Sequence, residues 1–334
     1  MEREGPYDVV IIGAGIAGLT SALYSSRQRM KTLVISRDLG GQLLITPEIQ
    51  NYPGFLSISG YDLINKIKEQ AELYGTRIIY DEVTEIEENK GVFRVKTISG
   101  SKHFGIALIL AFGKAPRDLG VPGESRFKGR GISYCVTCDA PLFKGKKVAL
   151  VGWGHHALNS IFLLKDYCSR VYWVFPEERP VKDEDLLSRI LSDKIEIIPN
   201  ADPIEVKGTK KVEALIVKDK KTGKIKKLKV DGIFVELGYV AKTDVVKGLV
   251  KLNEKGEIIV DKLCKTSREG VFAAGDVTDI PYKQAIISAA QGAIAALSAY
   301  NYIAKIKGLS TITSDWRHVP IERKEEEGGF FLKL

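Results

Sequence analysis

The chain has 334 residues, 44% of them hydrophobic, a formal charge of +8 and four cysteines. At this length one undivided core is disfavoured, so two domains are expected, and four cysteines are too few for a secreted disulfide framework. Much of the positive excess lies in residues 207–229, alternating with Val, Ile and Leu as in a solvated β-hairpin, so the charge argues against a nucleic-acid partner.

Residues 1–6 are polar and residues 7–12 run straight into a glycine motif. That is not the layout of a signal peptide, and a cytoplasmic protein is expected. Residues 7–12 read as a strand that breaks at Gly13, residues 15–27 have helical spacing through Ile16, Leu19, Thr20 and Leu23, and residues 31–36 complete a βαβ unit. Residues 78–98 read as a β-meander with a turn at Asn89-Lys90-Gly91. The βαβ grammar then recurs: a strand at 147–151, a turn from Gly152, a helix at 157–167 and a strand at 170–175. A second meander is expected over 201–235, turning at Lys221-Thr222-Gly223.

Residues 270–304 resume the apolar pattern of the first domain, so the second unit interrupts the first. The run 285–304 is long enough to raise the question of a membrane span, but Gln291 and Asn301 interrupt it, and a buried alanine-rich helix is expected. The fold class is therefore α/β, with two Rossmann-like three-layer domains, each carrying a small β-meander. Residues 1–116 and 245–310 form the first, residues 117–244 the second, and residues 311–334 a C-terminal extension. Sparse Asn and Gln beside plentiful Lys and Glu fit a protein of a hot environment.

Gly13-Ala14-Gly15-Ile16-Ala17-Gly18 places all three glycines of GxGxxG after a strand and at a helix start. The first turns the chain, the second admits a pyrophosphate to the backbone, and the third lets helix meet strand; the helix N-terminus then holds the phosphate charge. The acid usual for the ribose is missing, since the second strand ends at Ser36. Cys135-Val136-Thr137-Cys138 has a spacing at which two sulfurs can bond. None of the four histidines stands at zinc-finger spacing from a cysteine, so no metal is expected. Asp139 follows the pair; it suits a proton relay and equally a turn or cap.

These residues resemble the low-molecular-weight thioredoxin reductases over nearly the whole chain to about Ser310. The motifs run in order: Gly13 to Gly18, Gly40-Gly41-Gln42-Leu43, Asn51-Tyr52-Pro53-Gly54, a variant of ATGAxPR at 111–117, Cys135 to Asp139, and Phe272-Ala273-Ala274-Gly275-Asp276. The resemblance implies FAD held by Gly13, Gly15, Ala17, Gly18, Ser36, Gly41, Gln42, Thr46, Asn51, Gly113, Asp276, Gln284 and Ala285. It also implies a homodimer whose inserted domain rotates, with Cys138 beside the flavin, Cys135 attacking a thioredoxin-like protein disulfide, and Asp139 relaying the proton. Pro281 suits a first helical position, so a helix from about Tyr282 would aim its positive end at the flavin.

The second glycine motif departs from the family: Gly152-Trp153-Gly154-His155-His156-Ala157 keeps the GxGxxA skeleton but fills its variable positions with Trp and His. Where NADPH-using members carry an HRRxxxR stretch that grips the 2′-phosphate, this chain has Val174-Phe175-Pro176-Glu177-Glu178-Arg179-Pro180. Two carboxylates there repel a phosphate, so NADPH is disfavoured. NADH, held at Gly152, Gly154 and Ala157 with Glu177 on its ribose, or ferredoxin as donor remain open. Rival readings are a flavin oxidoreductase on the same fold that uses NADH or ferredoxin, and a non-catalytic flavin redox sensor. The extension, with Trp316 and Glu325 to Glu327, is expected either to be disordered or to dock on a partner subunit.

Overall fold

The computed structural model describes residues 6–46, 48–181, 187, 190, 193–316 and 318–320. The chain divides into unit 1, Met1–Lys114 with Ala241–Leu334, and unit 2, Ala115–Val240.

In unit 1, β1 (Tyr7–Ala14), α1 (Ile16–Arg27) and β2 (Thr32–Leu39) are followed by α2 (Gly60–Leu73), β3 (Arg77–Tyr80), β4 (Val83–Asn89), β5 (Val92–Thr97) and β6 (Lys102–Leu110). The sheet order is β3-β2-β1-β6-β5-β4. β3, β2, β1 and β6 run parallel, while β5 and β4 join antiparallel. A strand from the end of the chain, β17 (Val271–Ala273), lies parallel against the far half of β6.

β1 is buried on both faces, as a central parallel strand must be. Val9 and Ile11 join a core built with α1, α2 and the long C-terminal helix, whereas Val10 and Ile12 join a second core with Phe93, Val95 and Val271. That helix, α6 (Ala285–Ile306), lies on α1. Small residues permit the approach: Gly292 sits where any Cβ would enter the Ala17 carbonyl, and the Ser21 hydroxyl donates to the Gly292 carbonyl at 3.0 Å. α6 begins at Ala285, with an extended Gln284 as its N-cap, and not at Tyr282. The Asn51 amide donates to the Gln284 side-chain carbonyl at 3.1 Å, which ties this extended residue to the 51–56 loop.

In unit 2, two short helices, α3 (Glu124–Phe127) and α4 (Val136–Asp139), flank β8 (Ile132–Ser133) and precede β9 (Lys147–Gly152), α5 (Gly154–Tyr167), β10 (Arg170–Val174) and β11 (Ile195–Ile198). β12 (Ala201–Gly208), β13 (Val212–Asp219) and β14 (Ile225–Lys229) form an antiparallel three-stranded sheet. β15 (Gly232–Glu236) then returns to a parallel sheet of order β11-β10-β9-β15-β8. Alternate residues of β9 face two cores: Val148 and Leu150 pack with α5, and Ala149 and Val151 with the three-stranded sheet. Helix, parallel sheet and meander are thus three layers.

Both meanders are shorter than the sequence reading. β3 and β15 have left them for the parallel sheets, and in β15 the run Gly232-Ile233-Phe234-Val235 is wholly buried, the signature of a strand covered on both faces. The unit boundaries fall a few residues earlier than 116/117 and 244/245. The reason is that β7 (Ala115–Pro116) pairs antiparallel with β16 (Tyr239–Val240), which keeps both crossings within unit 2.

The start of the extension is held to its own unit. The Asn301 amide donates to the Ile312 carbonyl, and the Ile312 N–H donates back to Asn301, both at 2.8 Å. Asp315, its side chain only 2% exposed, pairs with Arg27 at 2.9 Å. Residues 321–334, with the acidic run, lie outside the described residues. Among the described residues, no helix is long and apolar enough to cross a membrane.

Candidate active site

The first glycine motif lies at the corner between β1 and α1. Gly13 turns with φ +107°, and a Cβ there would strike the Ala111 backbone. At Gly15, the helix N-cap, a Cβ would meet nothing within 4 Å, and the same is true of Gly41 and Gly113. No side chain caps the N-terminus of α1 and no acid stands in its first turn, so its positive end faces the open side of Gly15. Ser36 reaches this corner, but its hydroxyl is engaged by the chain: it accepts the Ala14 N–H at 3.0 Å and donates to the Asp38 carbonyl at 2.6 Å.

Of the other expected residues of unit 1, Gln42, Thr46 and Asp276 share one hydrogen-bonded rim, and Asn51 and Gln284 form a separate pair. The Gln42 amide donates to Asp276 at 3.4 Å and to the Lys114 carbonyl at 3.3 Å. Thr46 donates to the Gln42 carbonyl at 3.2 Å, and Ser288 donates to Asp276 at 3.1 Å. Ala17 packs on this rim, since a Cβ at Gly275 would press its methyl. An open glycine corner at a helix N-terminus, together with a polar rim at Gln42 and Asp276 in the same unit, fits FAD. When bound, FAD supplies a reversible two-electron store; Gly15 would admit its pyrophosphate, with Gly13 and Gly18 shaping the turn against Ala111 and the strand, and Gln42, Asp276, Gln284 and Ala285 would hold the remainder.

Two supports of this rim escape the sequence reading. Gln291, buried in α6, accepts the Gly275 N–H at 2.9 Å and the Thr278 hydroxyl at 3.2 Å. Its sequence signal is a lone polar residue within an alanine-rich run. Glu257 is bridged by Lys114 at 2.7 Å and Lys283 at 3.2 Å, and the Asn253 amide donates to it at 2.8 Å. Burial works against its ionisation, yet the bonds from Lys114, Asn253 and Lys283 prevail and hold its carboxyl at about 2. Lys114 and Lys283 flank Gln42 and Gln284, so this carboxylate braces the rim and the separate pair.

In unit 2, Cys135 and Cys138 form a disulfide with Cα atoms 5.4 Å apart. The segment is anchored just before it: the Tyr134 hydroxyl donates to Glu124 at 2.6 Å, and the buried Glu124 also accepts the Leu119 and Gly120 N–H groups. Burial, then Glu124, pushes the Tyr134 phenol far up, so it stays a donor. Cys135 caps α4: its sulfur accepts the Cys138 N–H at 3.2 Å, and the Thr137 hydroxyl stands 3.3 Å away. Both donors converge on Cys135, and both would favour its thiolate once the pair is reduced. Asp139 closes the same turn, its N–H donating to the Cys135 carbonyl at 3.2 Å. The other cysteines, Cys168 and Cys264, are buried thiols, and burial pushes them up to about 11 and about 12.

The second glycine corner, between β9 and α5, differs from the first. The Gly152 carbonyl accepts the indole N–H of the fully buried Trp173 at 2.9 Å, and the Gly154 N–H, in the first turn of α5, donates to the Pro180 carbonyl at 2.8 Å. Ala157 is buried beneath α5. Glu177 and Glu178 are exposed, and Glu178 pairs with Lys221 at 3.2 Å. Glu236, at the end of β15, accepts the Ser160 hydroxyl at 2.9 Å; burial pushes its carboxyl up, against the pull of Ser160 and His156.

The family described as pyridine nucleotide-disulphide oxidoreductase matches residues 7–296. A thioredoxin reductase of Treponema pallidum (strain Nichols) is 38% identical over 303 residues, covering 90% of this chain and 98% of that protein. The crystal structure of Lactococcus lactis thioredoxin reductase in its FR conformation superposes with a TM-score of 0.74 at 34% identity, covering 90% of this chain and 99% of the other. A ferredoxin-flavin thioredoxin reductase from Clostridium acetobutylicum superposes with a TM-score of 0.52 at 33% identity, covering 91% and 99%. With a flavin-fitting corner in unit 1 and a CxxC disulfide in unit 2, the chain belongs to the pyridine nucleotide-disulphide oxidoreductases and, within them, to the low-molecular-weight thioredoxin reductases.

Proposed function

We propose that this flavin-dependent reductase acts on a thioredoxin-like protein disulfide, and that a ferredoxin-like protein, not NADPH, supplies its electrons. The observation that carries the first part is the convergence of the Cys138 N–H and the Thr137 hydroxyl on the Cys135 sulfur. In the reduced pair, Cys135 is the better thiolate and attacks the partner's disulfide, releasing one partner thiolate and forming a mixed disulfide. Cys138 then attacks the Cys135 sulfur, which expels the second partner thiolate and restores the Cys135–Cys138 bond. Two electrons have passed to the partner, whose thiolates take up protons, with Asp139 as the relay.

The donor assignment is supported by the carboxylates at Glu177 and Glu178, where a 2′-phosphate would need arginines, and by the likeness to a reductase whose name includes ferredoxin. A homodimer in the cytoplasm is part of the same reading, and light scattering on the eluting protein tests the dimer. Anaerobic mixing with NADPH, NADH or reduced ferredoxin, followed by flavin bleaching, tests the donor: reduced ferredoxin should bleach it rapidly and NADPH should not. Cys138→Ser should abolish catalytic disulfide reduction and accumulate the mixed disulfide on Cys135; retained turnover would overturn the assignment.

A further inference from the structure

We infer that unit 2 binds no nicotinamide dinucleotide of either kind, because its own chain takes the leading backbone donor of the phosphate corner. The inference deepens the donor assignment above, which excludes NADPH on its 2′-phosphate alone and leaves NADH possible. The same motif in the two units provides an internal comparison. In unit 1 the chain leaving β2 returns to Ala14, before α1 begins: the Gly40 N–H donates to the Ala14 carbonyl at 2.8 Å, and Ser36 takes the Ala14 N–H. At Gly15, the residue at which pyrophosphate meets backbone, and equally at its counterpart Gly154, a Cβ would meet nothing within 4 Å, so the two corners differ in what their backbone donors bond and not in open space.

In unit 2 the chain leaving β10 goes one residue further. The carbonyl of Pro180 accepts the N–H of Gly154, the counterpart of Gly15, at 2.8 Å. A helix N-terminus attracts phosphate through its unpartnered N–H groups, and here the leading donor is taken by a carbonyl with the same claim on it. The loop is anchored there: Pro180 is buried, and Val181 lies in the core formed with α5 and β10. Trp173 fixes the turn from beneath through the Gly152 carbonyl.

Three further features oppose an anion at this corner. Glu236, half-buried, packs its backbone and Cβ against Gly152 and holds its carboxyl nearby on the Ser160 hydroxyl. Trp153 puts a half-exposed indole between the two glycines. Glu177 and Glu178 line the loop itself. The pyrophosphate is common to NADH and NADPH, so the loss of this donor counts against both, whatever holds the ribose. Unit 2 retains the dinucleotide fold as a scaffold for its disulfide.

Residue-resolved amide exchange on the FAD-loaded protein tests this. The Gly154 amide should exchange slowly in the free protein, and neither NADH, NADPH nor inorganic pyrophosphate at millimolar concentration should change exchange at residues 152–157 or 176–181. A Gly154 amide that exchanges as fast as an uncapped helix end, or protection of either segment by a dinucleotide, overturns the inference. Dithionite-reduced protein assayed on thioredoxin disulfide reads the reductase function separately. Failure there removes the reductase reading and leaves the closed corner standing, whereas dinucleotide binding does the reverse.

Discussion

Replacing Glu257 by glutamine removes the one negative charge between Lys114 and Lys283 while keeping the shape of the side chain. The carboxyl is 9% exposed and is held at about 2 against an ordinary 4.5, a difference worth roughly 3 kcal/mol of folded-state stability at neutral pH. The size agrees with the cost of breaking a buried ion pair and leaving its partners uncompensated. A carboxyl with a depressed folded value binds fewer protons folded than unfolded, so its contribution is present above the unfolded value and fades as the pH falls through the folded one. Unit 1 of Glu257→Gln should therefore unfold at a lower denaturant concentration at neutral pH, and the gap from the parent should close between about pH 5 and about pH 2. Urea titrations that follow flavin release across that range make the measurement. Equal midpoints at neutral pH, or a gap independent of pH, would refute the brace.

Two other substitutions test the chemistry and the closed corner. Thr137→Val keeps the branched shape but removes a donor from Cys135, so the thiolate absorbance of the reduced protein should titrate about one pH unit higher; an unchanged curve would show that the hydroxyl gives the thiolate nothing. Glu236 has a raised folded value, so the folded state binds its proton more tightly and stability falls as the pH rises from the ordinary carboxylate range through that value. Glu236→Gln should remove this fall, read as a melting temperature that drops less between acid and neutral pH than in the parent; an identical drop would argue against the raised carboxyl.

The glycine corners and the disulfide were legible because their chemistry depends on local spacing: three glycines between strand and helix, two cysteines three apart. Gln42, Asp276 and Gln284 could be named only through the family resemblance, since 234 residues separate Gln42 from the carboxylate it bonds. Glu257 carried no signal at all, because one glutamate in a charged, turn-rich stretch looks solvated until the fold brings two lysines to it. The β15 misreading arose because a short apolar run after a meander is locally indistinguishable from another meander strand. Its parallel partner β9 lies some 80 residues earlier along the chain. At the second corner the residue types signalled an altered site, but the Pro180 carbonyl that closes it is backbone, and no side-chain pattern could announce it.

The bond between Asp315 and Arg27 gives the extension a mechanical meaning. Arg27 is the last residue of α1, and the first turn of that twelve-residue helix opens on Gly15, roughly 18 Å away at 1.5 Å per residue. One rod is thus grasped at both ends: a phosphate-binding turn at its positive pole, and at its negative pole a guanidinium held in place by a carboxylate from the far end of the chain. A chain cut back to Ser310 would lose the far grip, and the slackening would be felt at the cofactor end.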